Sequence, residues 1–401
     1  MMKSISLKRY YHQNPWFGFT IFALFSILFM VLEIINNRFW LADFEVYYKS
    51  AQRLLAGENL FRIPEDDFYV FKYSPTSALY FIPFTIFSFA TAKIIYWFTL
   101  SGIMIYGFYL SAKLTASQYW IKNFAKINTL VLLAILILIV HIQRELHLGQ
   151  VNHILLVLYI LAAYFYQNKR PKHSALFLAI SLFIKPFALI FIPYFIVKKN
   201  YQAIVVFIIS VIVLFFLPLL FYSFPEFLQQ STLWFDELMI ELNNKQDLLQ
   251  EANHTIFSIL ARYTPVRLIT FTPVLIKTYQ IALLSLIAVS IWWFINKGKN
   301  IQNSGVAEFA LLISMIPLLS FTSHNAFGFN ELSIFLLLAF FSKFDGVGKT
   351  IIIMGFIFTG CNIHDLWGHD LSNFINNISL VSWGTLLIII ALFRGRQKGI
   401  F

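Results

Sequence analysis

Twelve apolar runs of spanning or near-spanning length divide this sequence, near 16–35, 75–90, 94–112, 127–143, 151–167, 173–197, 203–222, 273–295, 306–322, 330–342, 350–364 and 375–393. A helix needs roughly 20 apolar residues to cross a hydrocarbon core about 30 Å thick. Inside lipid no water can pair with a backbone N–H or C=O, so continuous runs of this length cross as helices. We therefore expect an all-α, polytopic membrane protein of about 12 transmembrane helices. Composition agrees, since 59% of the 401 residues are hydrophobic and 12% are charged, beyond what a soluble core requires. Residues 1–401 read as a single integral membrane domain with no internal repeat, low-complexity segment or soluble-domain boundary. The missing repeat speaks against a secondary transporter, whose halves commonly repeat.

Charge sets the expected orientation. The net charge of +11 comes largely from short basic clusters at the ends of apolar runs, such as KKN at 198–200 and RGRQK at 394–398. Cytoplasmic loops have this pattern, so nucleic acid is not an expected partner. Lys3, Lys8 and Arg9 precede the first run, which ends in NNRFW rather than a small-residue cleavage site. It reads as a retained span, not a signal peptide. An even span count then puts both termini in the cytoplasm. The loops 37–74, with five basic and six acidic residues, and 223–270, with three basic and six acidic, face outward. One cluster disobeys, because NKRPK at 168–172 would also lie outside. Either the rule fails there, or the runs near 75–90 and 173–197 contain re-entrant or short helices, as Pro83 and Lys185-Pro186 would favour. The single cysteine, Cys361, excludes an intrachain disulfide.

The stretch from Asp43 to Pro75 holds most of the candidate chemistry. Phe44, Tyr47, Tyr48, Ala51, Leu54 and Leu55 recur at helical spacing, predicting an interfacial helix with these residues on the bilayer and Gly57 at its C-cap. Asp43 opens that helix, where the positive end of the dipole favours an ionised carboxylate. Its plain alternative is an N-cap. Asp43 and Glu45 resemble a metal-binding pair, but residues two apart on a helix do not face each other, so no metal site is expected. FKYSP at 71–75 brings Lys72 and two rings back to the interface, closing the loop that Asp43 opens, although a snorkelling lysine in an aromatic belt looks the same. GQVN at 149–152, with Glu145 and His147 before it, is either a helix junction or a polar subsite carrying Gln150 and Asn152.

Lys185 lies mid-run, where a cation costs at least about 2.5 kcal/mol unless paired or hydrated, and Pro186 breaks the helix beside it. An anionic lipid phosphate or a buried acid elsewhere would each satisfy it. In the second outer loop, EANHTIFSILARY at 251–263 reads as a short amphipathic helix begun by an Asn-His-Thr turn and ended by Arg262. His324 sits in a polar loop at 320–331, either structural or on a phosphate.

In this order, DFEVYY with LLAGENLF, FKYSP, GQVN, IKP and NHTIFSIL with its arginine resemble the GT-C membrane glycosyltransferases of family 87, of the polyprenol-phosphate-mannose-dependent mannosyltransferase type. The resemblance covers about residues 40–330. It implies a GT-C fold, with the aspartate matched by Asp43 as catalytic base. The family's Lys-Pro, Asn-Gln-Ser and arginine positions are matched by Lys185-Pro186, Asn253-His254-Thr255 and Arg262. The late loop departs from the family's Ser-Pro-x-x-Trp-x-His-His and reads SHNAFGFNE, which bears on His324 and on the preference for mannose.

The implied reaction is inverting transfer of a hexose from a polyprenyl phosphate to a lipid or glycan acceptor at the outer face of a bacterial inner membrane. Asp43 would be the base, and Lys72, Lys185 and Arg262 would bind the donor phosphate. Tyr47, Tyr73, Gln150, Asn152, Asn253, His254 and His324 would bind substrate. A monophosphate donor has no diphosphate for a metal to bridge, so no cofactor is expected. The rival readings are a carrier of lipid-linked sugars and a surface-polysaccharide polymerase.

Overall fold

The computed structural model describes residues 7–66, 69–244, 248–250, 253–268, 272–299, 301, 304–320 and 324–401. Among them there is no strand, and the chain is an all-α polytopic membrane protein. Among the described residues seven helices are long and apolar enough to span a bilayer: Phe17–Ile35, Phe89–Thr115, Phe124–Leu148, Tyr201–Leu220, Val274–Lys297, Ala326–Lys343 and Leu380–Gln397. Four shorter apolar helices, Asn152–Gln167, Pro186–Val197, Ser304–Leu319 and Gly346–Gly360, account for further runs. Stripes of exposed Val205, Ile208, Ile209, Ile212 and Val213, and of Ile281, Leu284, Val289 and Trp292, are apolar surfaces of the kind a bilayer covers.

Two runs are broken where proline predicts it. The first becomes the short helix Pro75–Ala78 and a 3₁₀ stretch, Leu79–Ile86, holding Pro83. The second divides into Pro171–Leu182, Pro186–Ile190 and Phe191–Val197. Lys185 is extended at that break (φ −143°, ψ 138°), as a residue before proline prefers. The freed carbonyl of Phe183 accepts from both Ser74 N (3.2 Å) and Ser74 Oγ (2.7 Å), which joins the two breaks.

The chain forms two compact units. One comprises Thr20–Gly107 and Gln143–Asn244. It contains the helix Ala42–Ala56, whose apolar side packs on protein rather than on the bilayer expected from the sequence: Phe44, Tyr47, Tyr48, Ala51 and Leu54 are buried and Leu55 alone of that set is exposed. Spacing shows that a helix has an apolar face but not what covers it. Here the cover is aromatic. Phe44 stacks on Tyr96 with centroids 4.1 Å apart, and Tyr47 meets Phe81 at 4.8 Å. Beyond Gly57, the loop is tied down by Tyr222 Oη donating to Glu58 O (2.7 Å), Leu60 N donating to Gln230 Oε1 (3.1 Å) and Arg62 pairing with Glu237.

The other unit comprises Met1–Phe19, Phe108–Ile142 and Lys245–Phe401. Its buried polar groups bond from helix to helix. Ser111 Oγ donates to Glu331 Oε1 (2.8 Å), Asn330 Nδ2 to Thr385 Oγ1 (2.8 Å), and Ser314 and Ser333 share a bond of 2.7 Å.

Candidate functional site

The helix Ala42–Ala56 begins at Leu41, a buried residue with left-handed backbone (φ 50°) and no side-chain cap bond. Asp43 is therefore the second residue of the helix and not its N-cap, which sets the capping alternative aside. A left-handed non-glycine residue costs on the order of 1 kcal/mol or more and persists only where its surroundings hold it. Aromatic packing three residues on adds to that hold: Phe44 meets Tyr96, Phe84 and Phe89.

GQVN is the second element of the site. The Phe124–Leu148 helix ends with Gln150 N bonded to Glu145 O (3.0 Å) and Gly149 N to Leu146 O (3.3 Å), a Schellman-type stop with Gly149 left-handed at φ +69°. A Cβ on Gly149 would lie 2.9 Å from Phe44 Cβ and 3.2 Å from Leu41 Cβ. Only glycine lets this turn sit against the start of the Ala42–Ala56 helix. The turn then aims Gln150 Nε2 at Asp43 Oδ2, to which it donates a hydrogen bond. The other amide atom, Gln150 Oε1, is buried and makes no hydrogen bond among the described residues.

From the same turn a chain of polar contacts reaches the broken helix. Asn152 accepts at Oδ1 from Lys185 Nζ (2.6 Å) and donates from Nδ2 to Glu145 Oε1 (2.6 Å). Glu145 is fully buried and also accepts from His153 N (3.3 Å). Lys185 Nζ stands 5.9 Å from the centroid of Tyr73, and Tyr73 shares a 3.2 Å hydroxyl contact with Tyr47. Burial raises the Asp43 carboxyl above its ordinary range. The attraction of Lys185 and the Gln150 bond pull it back, Glu145 pushes it up, and Lys72 adds a weaker pull down.

Seven of the residues singled out from the sequence thus belong to one unit: Asp43, Tyr47, Lys72, Tyr73, Gln150, Asn152 and Lys185. Glu45 turns elsewhere, pairing with Lys49 at 2.9 Å, as expected for residues two apart. Asn253, His254 and Arg262 belong to the other unit, where they build a turn. Asn253 Oδ1 accepts from Thr255 Oγ1 (2.7 Å), His254 Nδ1 contacts Ser379 Oγ (2.8 Å), and Arg262 donates to Asn377 O (2.8 Å), Asn253 O (3.0 Å) and Ser379 Oγ (2.6 Å). His324 opens the 3₁₀ stretch His324–Asn330, but its side chain lies outside the described residues.

Two acids that the sequence reading assigned no role prove central to the packing. Glu145 holds Asn152, and Glu33 lies 2.5 Å from His147 Nδ1, with the Trp40 ring 5.7 Å from the imidazole. Both acids fall within long apolar helices, where an ionisable group always asks for a partner, so the signal was present. Among the described residues no group of three or more His, Cys, Asp or Glu is arranged to hold a metal ion.

The model of glycosyltransferase family 87 matches residues 71–320. The match takes in Lys72, Gln150, Asn152 and Lys185 and begins after Asp43 and Tyr47. Comparison with individually curated proteins gives no match.

Proposed function

Because the chain belongs to glycosyltransferase family 87, we propose that it moves a hexose, mannose by resemblance, from a polyprenyl-phosphate donor to a lipid or glycan acceptor at the outer face of a bacterial inner membrane. Family membership favours transfer over the carrier and polymerase readings. In this reading both termini are cytoplasmic, and loop 37–74 faces outward.

One observation carries the proposal: a half-buried carboxylate, Asp43, is joined through Gln150 to the turn whose Asn152 holds Lys185. An acceptor hydroxyl at Asp43 gives its proton to a carboxylate oxygen while its own oxygen attacks the anomeric carbon. The bond from that carbon to the phosphate oxygen breaks with inversion, and the electron pair leaves on the phosphate. The donor's single negative charge becomes two. Lys185 stabilises the charge as it develops, which is where electrostatics contributes most to rate, and Lys72, whose charge is also felt at Asp43, adds to it. The unmatched Gln150 Oε1 supports a ligand here, since a buried acceptor without a donor costs about 1–3 kcal/mol that a substrate hydroxyl would remove. Tyr73, half-buried and backed by the buried Tyr47, offers aromatic surface 5.9 Å from the cation.

The test is a donor panel. Purified protein with a membrane glycolipid extract is given radiolabelled polyprenyl-phosphate hexoses or nucleotide hexoses. A water-dispersible short-chain analogue is also supplied to right-side-out and to inverted vesicles. Label should pass to the extract from a polyprenyl phosphate, and in right-side-out vesicles only. Transfer from a nucleotide sugar alone would refute the donor class, and transfer in inverted vesicles alone would refute the orientation.

A further inference from the structure

On a second face of the Ala42–Ala56 helix lies a cavity of about 420 Å³, within the ~300–1,000 Å³ range of ligand pockets. Ala42, Glu45, Val46 and Lys49, at one-turn spacing, form one wall. Trp40, Glu65, Asp66, Tyr69, Phe89 and Lys93 line the rest. Asp43 and Tyr47 are turned away from this wall, toward Gln150 and Tyr73. The helix therefore separates the cavity from the Lys185 cluster.

The lining favours a particular ligand chemistry. Two of its acids are already paired: Lys49 meets Glu45 (2.9 Å) and Asp66 (3.6 Å), and Asp66 accepts two bonds from Arg53 behind it (2.5 and 2.9 Å), while Lys93 Nζ donates to the neutral Phe39 O (3.0 Å). A phosphate at Lys49 would have to break those pairs and would face Glu45, Glu65 and Asp66, whereas a neutral hydroxyl can insert among them as donor or acceptor. The aromatic rings point the same way. Trp40 is 58% and Tyr69 46% exposed, yet the indole is held by Nε1 donating to Asn37 O (3.0 Å). A fixed, open ring face beside paired charged groups suits a sugar ring, whose C–H face packs on aromatic carbon while its edge hydroxyls bond outward.

We propose that this cavity binds the neutral saccharide portion of the acceptor that lies away from the reacting hydroxyl, its wall beginning at Ala42, the residue before Asp43 in the chain. The inference rests on the transferase reading, but saccharide binding can be measured without transfer. Calorimetry in a detergent without a sugar head group uses the wild type, Trp40→Ala and Glu65→Gln, both changes being at exposed positions. Neutral di- and trisaccharides of mannose, glucose and galactose are titrated, with inorganic phosphate as a competitor. At least one saccharide should bind, both variants should weaken it about tenfold or more, and phosphate should not displace it. Absence of any saccharide binding, wild-type binding in either variant, or displacement by phosphate would overturn the proposal. Binding without transfer would refute only the transferase reading, and transfer without binding only this one.

Discussion

Asp43 shows how a single carboxylate can be held between two opposing demands. Burial favours its protonated form, while Lys185 and the Gln150 amide favour its ionised form. In its proposed role as general base Asp43 has to be ionised, so the acid limb of the pH–rate profile should follow its carboxyl. Lys185→Met removes the largest attraction on it. The folded carboxyl then rises further above its ordinary range, and the acid limb moves to higher pH along with the loss of rate. An acid limb that stays in place or moves down would separate Lys185 from Asp43. At this scale the sequence was informative where residue chemistry is costly: a lysine inside an apolar run demands a partner wherever it lies. Its identity, Asn152 backed by Glu145, is set by the turn at Gly149, thirty-odd residues earlier in the chain.

Among the elements, the junction between the Phe124–Leu148 helix and the Ala42–Ala56 helix decides whether the site assembles. Gly149 and Gly57 make a controlled pair, since both are left-handed at about the same φ (+69° and +71°). A Cβ at Gly57 would find its nearest neighbour at 3.6 Å, an ordinary contact, whereas at Gly149 it would press on Phe44 at 2.9 Å. Gly149→Ala should therefore destabilise by about 1–3 kcal/mol and lower activity, and Gly57→Ala by less, because only the first adds a clash to the backbone strain. Thermal unfolding in detergent measures both. Equal shifts in Tm would mean that the close approach at Gly149 contributes nothing. Helix spacing revealed the Ala42–Ala56 element and its Gly57 end, and proline revealed the breaks near Pro83 and Lys185. It could not reveal that the apolar face would be covered by Tyr96, Phe84 and Phe89, because periodicity looks the same toward lipid and toward protein.

At the scale of the whole molecule, apolar runs sufficed to establish an all-helical membrane protein, since the bilayer allows few other solutions. The two compact units were not legible, because the contacts that define them join segments far apart in sequence. Nor does a motif reveal its own surroundings: the Asn253-His254-Thr255 turn and Arg262 bond to Ser379 and Asn377, more than a hundred residues later in the chain. We propose that family 87 transfer in this chain runs through the carboxylate at position 43. The single-turnover rate of Asp43→Asn, with the donor that the wild type accepts, tests this, the variant's fold being checked by its unfolding temperature. A fall of about 10²–10⁴-fold, with donor binding retained, is the predicted result. A folded variant that transfers sugar at near wild-type rate would contradict it.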